Sequence, residues 1–371
     1  MIDGAAFVAA LRSRGFRFFA GVPCSYLGSV IDELGGEYVA AANEGAALGM
    51  AAGAQVTGGR SAVLLQNSGV GNLVNPLTSL VVPYRIPVLL VVSMRGWPDP
   101  ADDEVQHSVM GPATPAILTA CQVAHRVLDP DPALLRDALD ELDQVLRSGS
   151  PAALLVGRRT MAKSAGAPGG GPGWTRRDAI RAVVRHVDQD LVFATTGYIA
   201  RELFAVGDRP GNFYMQGAMG HALAMGVGAA RTTGERVWVL DGDGAAVMHL
   251  GTMVTTGSAG LPNLVHVVLN NAAYESTGGQ PTCAGRLDWA RLGEAAGYRT
   301  SHWCRTPETV ESALRRVAAE PGPHLVVIDI AIGPAQAPPR ATRSLEAPAI
   351  SARLRETVNA RLAAAPGRGA L

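Results

Sequence analysis

The chain has little charge and few aromatic rings. Asp, Glu, Lys and Arg make up 17% of its 371 residues, and Phe, Trp and Tyr 5%. With 47% hydrophobic residues, a chain so sparsely charged buries a sizeable core rather than staying disordered. It also lacks net charge, since 32 basic residues balance 32 acidic ones. Without a basic surplus or a run of like charge, nothing is available to neutralise a row of phosphates, so nucleic acid is not expected as a partner. The four cysteines, Cys24, Cys121, Cys283 and Cys304, lie far apart and form no C-x-x-C pair. They are expected to be reduced thiols rather than disulfides or zinc ligands. No uncharged apolar stretch reaches the roughly 18–20 residues that a membrane span needs. Met1-Ile2-Asp3-Gly4 lacks the basic start and apolar core of a signal peptide. A cytoplasmic protein with no membrane partner is therefore expected. No G-x-G-x-x-G follows a strand, which argues against a dinucleotide fold.

Two α/β halves are present instead. Short β-branched runs alternate with Ala/Leu-rich stretches at helical spacing, the pattern of parallel sheets with crossover helices. In the first half the runs include Ser61–Leu65, Pro87–Val92, Val123–Leu128 and Ala152–Val156, with helices over Glu44–Gln55 and Pro132–Leu146. Lys163–Gly173 holds five glycines and two prolines with nothing to bury, and reads as a linker. The pattern restarts with a helix over Arg177–His186 and strands at Leu191–Ala194, Arg236–Leu240, Leu264–Leu269 and His324–Asp329. The expected division is 1–160, a linker over 161–176, 177–335, and a Pro/Ala-rich tail over 336–371 in which Ser351–Leu362 forms a helix. There is no clear internal repeat. Two Gly/Ala/Met helices, after Glu44 and after Met219, look alike, as small-residue helices often do.

The most informative segment is Val237-Trp238-Val239-Leu240-Asp241-Gly242-Asp243-Gly244, followed by Val267-Val268-Leu269-Asn270-Asn271. Each is an apolar run that ends abruptly in polar or glycine residues. The 25 residues between Gly244 and Asn270 hold one crossover helix, expected over Ala245–Gly257, and one strand. If the strands are parallel, Asp243 and Asn271 share one carboxyl edge and can converge. Carboxylate, amide and carbonyl oxygens are hard donors of the kind Mg²⁺ takes together with a ligand's phosphates. Glycines beside Asp243 let a phosphate approach, and a helix N-terminus adds free N–H groups. Taken alone, G-D-G is a common strand-to-helix turn; the spacing to Asn-Asn is what distinguishes it.

This arrangement resembles the thiamine-diphosphate-dependent enzymes. The resemblance implies Asp243, Asn271 and the Ala273 carbonyl as Mg²⁺ ligands, with Asn270 the lesser candidate. It places Thr195, Thr196, Gly217, Met219, Gly242, Gly244 and Ala245 around thiamine diphosphate. Such an enzyme needs a carboxylic acid beside N1′ of the aminopyrimidine, in a dry pocket. Glu44 fits, since Asn43 can cap its helix and the segment Tyr38–Gly53 holds only this one charge. Glu44 can equally serve as a residue that favours a helix N-terminus; its likeness to the family's glutamate helix carries the assignment. Met219 would hold the cofactor's bend, or simply fill the core. The family also implies two thiamine-binding domains, pyrimidine-binding and diphosphate-binding, each a doubly wound parallel sheet. It implies at least a homodimer with active sites at the subunit interface. The chain carries no central third domain.

Local segments resemble the phosphonopyruvate decarboxylases among these enzymes. They are Phe193–Gly197 with Arg201–Phe204, Asn212–Met215 with Gly217–His221, and Ser276–Thr282; the first half adds Gly21–Ser25, Gln66–Gly69 and Gln106-His107. Tyr198, Ala200, Ala218 and Ala272-Ala273-Tyr274 depart from the family pattern. The implied reaction is decarboxylation of 3-phosphonopyruvate to phosphonoacetaldehyde and CO2 through the thiamine ylide, in phosphonate biosynthesis. Candidate substrate contacts are Ser25, Asn67, Ser68, Arg95, Gln280 and Thr282, with His107 as a catalytic group. Arg95 follows a strand and can face the site or lie on the surface. His107 can shuttle a proton or be a core histidine. His221 and His249 flank the cofactor motifs. Alternatives are a sulfopyruvate decarboxylase, a carboligase on the same scaffold, or a nucleotide-binding regulatory protein.

Overall fold

The computed structural model of the chain describes residues 1–164, 173–333 and 338–364. Positions 165–172 of the expected linker lie outside the described residues, as do 334–337 and 365–371. The chain divides into two compact units, Met1–Ala167 with Ser276–Gln280, and Pro168–Glu275 with Pro281–Leu371.

In the first unit six strands form one sheet: β1 (Phe16–Gly21), β2 (Tyr38–Ala40), β3 (Arg60–Gln66), β4 (Leu89–Ser93), β5 (Ala124–Leu128) and β6 (Ala152–Val156). Their order is β2-β1-β3-β4-β6-β5, with every pair parallel. The second unit has β7 (Leu191–Ala194), β8 (Asn212–Tyr214), β9 (Val237–Gly242) and β10 (Leu264–Asn270), then the strands Thr300–Cys304 and His324–Asp329. Its order, from the matching edge, is β8-β7-β9-β10, then His324–Asp329, then Thr300–Cys304, again all parallel. The two halves thus repeat one topology that the sequence does not announce. The three-residue edge strands β2 and β8 are too short to leave a readable pattern.

The central strands are apolar without alternation because both faces are covered. In the first sheet, Leu64, Val91 and Leu154 pack on one side with Phe7, Leu11 and Leu142, while Leu65, Val92 and Leu155 pack on the other with Leu48, Leu73 and Leu118. In the second sheet Leu240, Val267 and Val326 meet Val183 and Leu314. The C-terminal helix Ala347–Ala364 encloses the expected tail helix. It buries Ile350 and pairs Arg353 with Asp208 at 2.5 Å.

The crossover helix expected over Ala245–Gly257 is instead two pieces, Asp243–Met248 and Gly251–Ala259. The break falls at His249, which leaves helical geometry at φ −129°, ψ 53°. Its ring packs 4.4 Å from that of His221 and takes the space left by Gly220, where a Cβ would come within 2.6 Å of His249 Cδ2. The piece after Asp243 is only six residues long. What it offers an anion is its first N–H groups rather than a long summed dipole.

Candidate active site

In an open parallel sheet, sites form outside the carboxyl ends of the strands where the winding reverses. That reversal lies between β1 and β3 in the first unit, and between β7 and β9 in the second.

In the first unit the chain leaves β2 and turns into the helix Glu44–Val56. Asn43 caps it, its Oδ1 accepting the Ala46 N–H at 2.9 Å. Glu44 falls in the first turn and is 5% exposed. Asn72, on the helix Val70–Pro76, donates to Glu44 Oε2 at 2.7 Å. The rest of the carboxylate lies against Gly69, where a Cβ would be 2.1 Å from Oε1. Nothing larger than glycine fits there while Glu44 keeps its place. Asn67, at the end of β3, ties itself to the end of β4. It donates to the Arg95 carbonyl at 2.8 Å and accepts the Arg95 N–H at 3.1 Å.

Arg95 is partly committed to an ion pair. Its fork is engaged by Asp103, Nε at 2.7 Å and Nη2 at 2.5 Å, and it lies 5.3 Å over the Tyr26 ring. Burial alone would raise the Asp103 carboxyl. The Arg95 guanidinium and the N–H groups of Glu104 and Gly96 hold it well below the usual range. His107 is buried, with Nε2 3.4 Å from Gln106 Nε2. Ser25 and Ser68 are exposed, and Ser68 accepts from Gln66 at 2.7 Å. Gln280 is buried, and its Nε2 has no hydrogen-bond partner among the described residues.

In the second unit Thr195 and Thr196 follow β7. The Thr195 N–H donates to Leu240 at 2.8 Å, and its buried Oγ1 has no partner among the described residues. Thr196 Oγ1 donates to the Gln216 carbonyl at 2.8 Å, which secures the segment leading to Gly217 and half-buried Met219. His221 Nδ1 lies 3.2 Å from the carbonyls of Ala218 and Met219.

β9 and β10 pair directly, with Gly242 opposite Leu269. Asp243 and Asn271 therefore emerge side by side at one edge, and the Asp243 carboxylate accepts the Asn271 N–H. Thr282, expected at the substrate, donates to Asp243 Oδ2 at 2.5 Å. Asn271 Oδ1 accepts the Ala273 N–H at 3.1 Å. Gly244 leaves room for Tyr274, whose Cε1 would be 2.6 Å from a Cβ there. Asp243 is 2% exposed and Ala245 6%. Burial pushes the Asp243 carboxyl up to about 6, against the opposing pull of Thr282 and the Asn271 N–H. Among the described residues no cationic side chain pairs with it. A buried carboxylate left in this state calls for a cation. Asn271, whose backbone N–H reaches this carboxylate, carries an amide oxygen of the hard-donor kind that a divalent ion takes together with the oxygens of a diphosphate. Asn270 turns the other way, donating to Asp329 at 2.7 Å.

Sequence reasoning missed Asn72, Asp103 and Glu275. Glu275 accepts from Asn271 Nδ2 at 2.8 Å and pairs with Arg176. Its position four residues beyond Asn271 was the available signal.

Comparison with known proteins fits this geometry. Residues 3–110 match the N-terminal TPP binding domain of thiamine pyrophosphate enzymes, and residues 197–328 match the C-terminal TPP binding domain. A phosphonopyruvate decarboxylase from Streptomyces viridochromogenes is 36% identical, over 90% of this chain and 89% of that protein. One from Streptomyces hygroscopicus is 35% identical over 90% and 88%. A sulfopyruvate decarboxylase from Methanosarcina acetivorans is 26% identical over 84% and 87%. The chain belongs to the thiamine pyrophosphate enzymes, in the family of the phosphonopyruvate decarboxylases. Among the described residues no helix is long and apolar enough to cross a membrane, and all four cysteines are free.

Proposed function

We propose that the chain decarboxylates 3-phosphonopyruvate to phosphonoacetaldehyde and CO2, using thiamine diphosphate and Mg²⁺, as a step of phosphonate biosynthesis in the cytoplasm. The observation that carries this reading is the buried, unneutralised Asp243 beside Asn271, in a chain that matches phosphonopyruvate decarboxylases over nine-tenths of its length. Thiamine diphosphate, when bound, supplies the electron sink that lets CO2 leave a 2-oxo acid. The chain's own residues hold and orient. Asp243, Asn271 and the Ala273 carbonyl are the groups that would hold the ion. Thr282 fixes the Asp243 carboxylate together with the Asn271 N–H. Glu44, held by Asn72 and the Gly69 turn, is the carboxyl that would face the pyrimidine and exchange a proton at N1′. Thr195, Thr196, Gly217, Met219, Gly242, Gly244 and Ala245 line the cofactor. Ser25, Asn67, Ser68, Gln280 and Thr282 are the proposed polar groups for the substrate, with His107 as a proton carrier. Arg95, oriented by its ion pair with Asp103, is the proposed positive charge for the substrate. The chain works as a homodimer or larger assembly, with the Glu44 of one copy serving a cofactor held by its partner.

The test is product analysis with phosphonopyruvate, thiamine diphosphate and Mg²⁺, with sulfopyruvate in a parallel assay. Phosphonoacetaldehyde from the first acid and little turnover of the second supports the reading. Equal or faster turnover of sulfopyruvate, or an acyloin product, overturns it.

A further inference from the structure

An asparagine amide can be placed either way round, and at Asn271 the choice decides whether an oxygen or an N–H₂ is on offer to an ion. Glu275 fixes the choice. A carboxylate only accepts, so Glu275 Oε2, 2.8 Å away, can face only the Nδ2 side. Oδ1 is thereby turned to the other side, where it accepts the Ala273 N–H at 3.1 Å, and an amide oxygen has a second lone pair to offer.

Glu275 is itself held on every side. Gly333 donates to Oε1 at 3.0 Å, and Arg176 pairs with Oε2. The Arg176 and Glu275 side chains are 8% and 10% exposed. Arg176 also lies 5.0 Å over the ring of Tyr198, which Arg201 approaches at 5.4 Å. Tyr198 follows Gly197, which stands at φ +90° directly after Thr195-Thr196. One buried cation therefore joins the loop after β7 to the loop after β10.

We infer that Glu275, supported by Arg176, is a positioning residue that sets the Asn271 amide for a divalent ion. The inference rests on the proposed function and adds two residues that would act through Asn271. Partners of this kind around metal ligands change affinity by on the order of 10- to 100-fold when removed.

The experiment measures Mg²⁺ affinity by calorimetry in the presence of thiamine diphosphate, together with melting temperature and circular dichroism. The variants are Glu275→Gln, Asn271→Asp and the pair combined. Glu275→Gln is expected to weaken Mg²⁺ binding by about 10-fold or more at unchanged secondary structure. Asn271→Asp alone sets two carboxylates against each other and also weakens it. The double variant exchanges carboxylate and amide, so that the amide now at position 275 can donate to the carboxylate now at position 271, and it is expected to bind Mg²⁺ more tightly than either single variant. A merely structural role predicts additive losses instead. Wild-type affinity in Glu275→Gln, or additive losses in the double variant, overturns the inference alone. Absence of Mg²⁺ binding by the wild-type chain overturns the proposed function and this inference with it.

Discussion

The ends of β3 and β9 occupy equivalent places in two sheets of one topology, and they solve the same problem with different atoms. In each unit the residue just past the third strand of the winding reaches the backbone just past the fourth. Asn67 accepts the Arg95 N–H and returns a bond to the Arg95 carbonyl. Asp243 accepts the Asn271 N–H and has no donor to return. The amide closes on itself and is a staple. The carboxylate makes the same first bond and keeps a buried negative charge. A strand-end staple and the proposed ion site thus differ by one side-chain group at one position of the winding.

Turning the second unit into the first is the strongest way to test this. Asp243→Asn is expected to abolish Mg²⁺-dependent binding of thiamine diphosphate while the chain stays folded, as calorimetry and circular dichroism will read. Retained binding would break the comparison. Next in size is Glu44→Gln, which keeps the Asn72 contact but not the acid. Turnover is expected to fall roughly 10²–10⁴-fold with cofactor binding preserved, the range of a lost general acid–base. A smaller effect concerns pH. The Asp243 carboxyl sits at about 6 when folded, raised from 3.8. The folded, cation-free chain therefore holds this proton more tightly than the unfolded one. The stability it contributes is complete below the unfolded value and is lost as the pH rises through about 6. Melting without divalent ions should give a lower midpoint at pH 7 than at pH 5, with the difference reduced in Asp243→Asn. Smallest is Asn67→Ala, which leaves the part-buried Arg95 N–H and carbonyl without this partner and is expected to cost about 1 kcal/mol in denaturant unfolding.

Much of this was legible beforehand. Strands β9 and β10 show as apolar runs cut off by glycine and asparagine, and their spacing places Asp243 beside Asn271. Asn43 reads as a cap because its side chain meets the Ala46 N–H by a purely local rule. The similarity of the two Gly/Ala/Met helices was also visible. Only the strand order shows that Glu44–Val56 and Ala222–Thr233 fill the same place in each winding, between its second and third strands. What could not be read depended on distant partners. Arg176 meets Glu275 across 99 positions of sequence, and nothing local to either forecasts the pair. The engagement of Arg95 by Asp103 was close in sequence but hidden, because a turn of irregular backbone decides which way the guanidinium lies.

The contact between Glu44 and Gly69 has a consequence for the lineage of this chain. The carboxylate stands where any Cβ at position 69 would be, so neither site can drift alone. A gain of bulk at 69 evicts the acid, and shortening the acid opens a hole that no glycine fills. Descendants that abandon this chemistry are expected to have changed both positions together, and a homologue that keeps the glutamate is expected to keep the glycine.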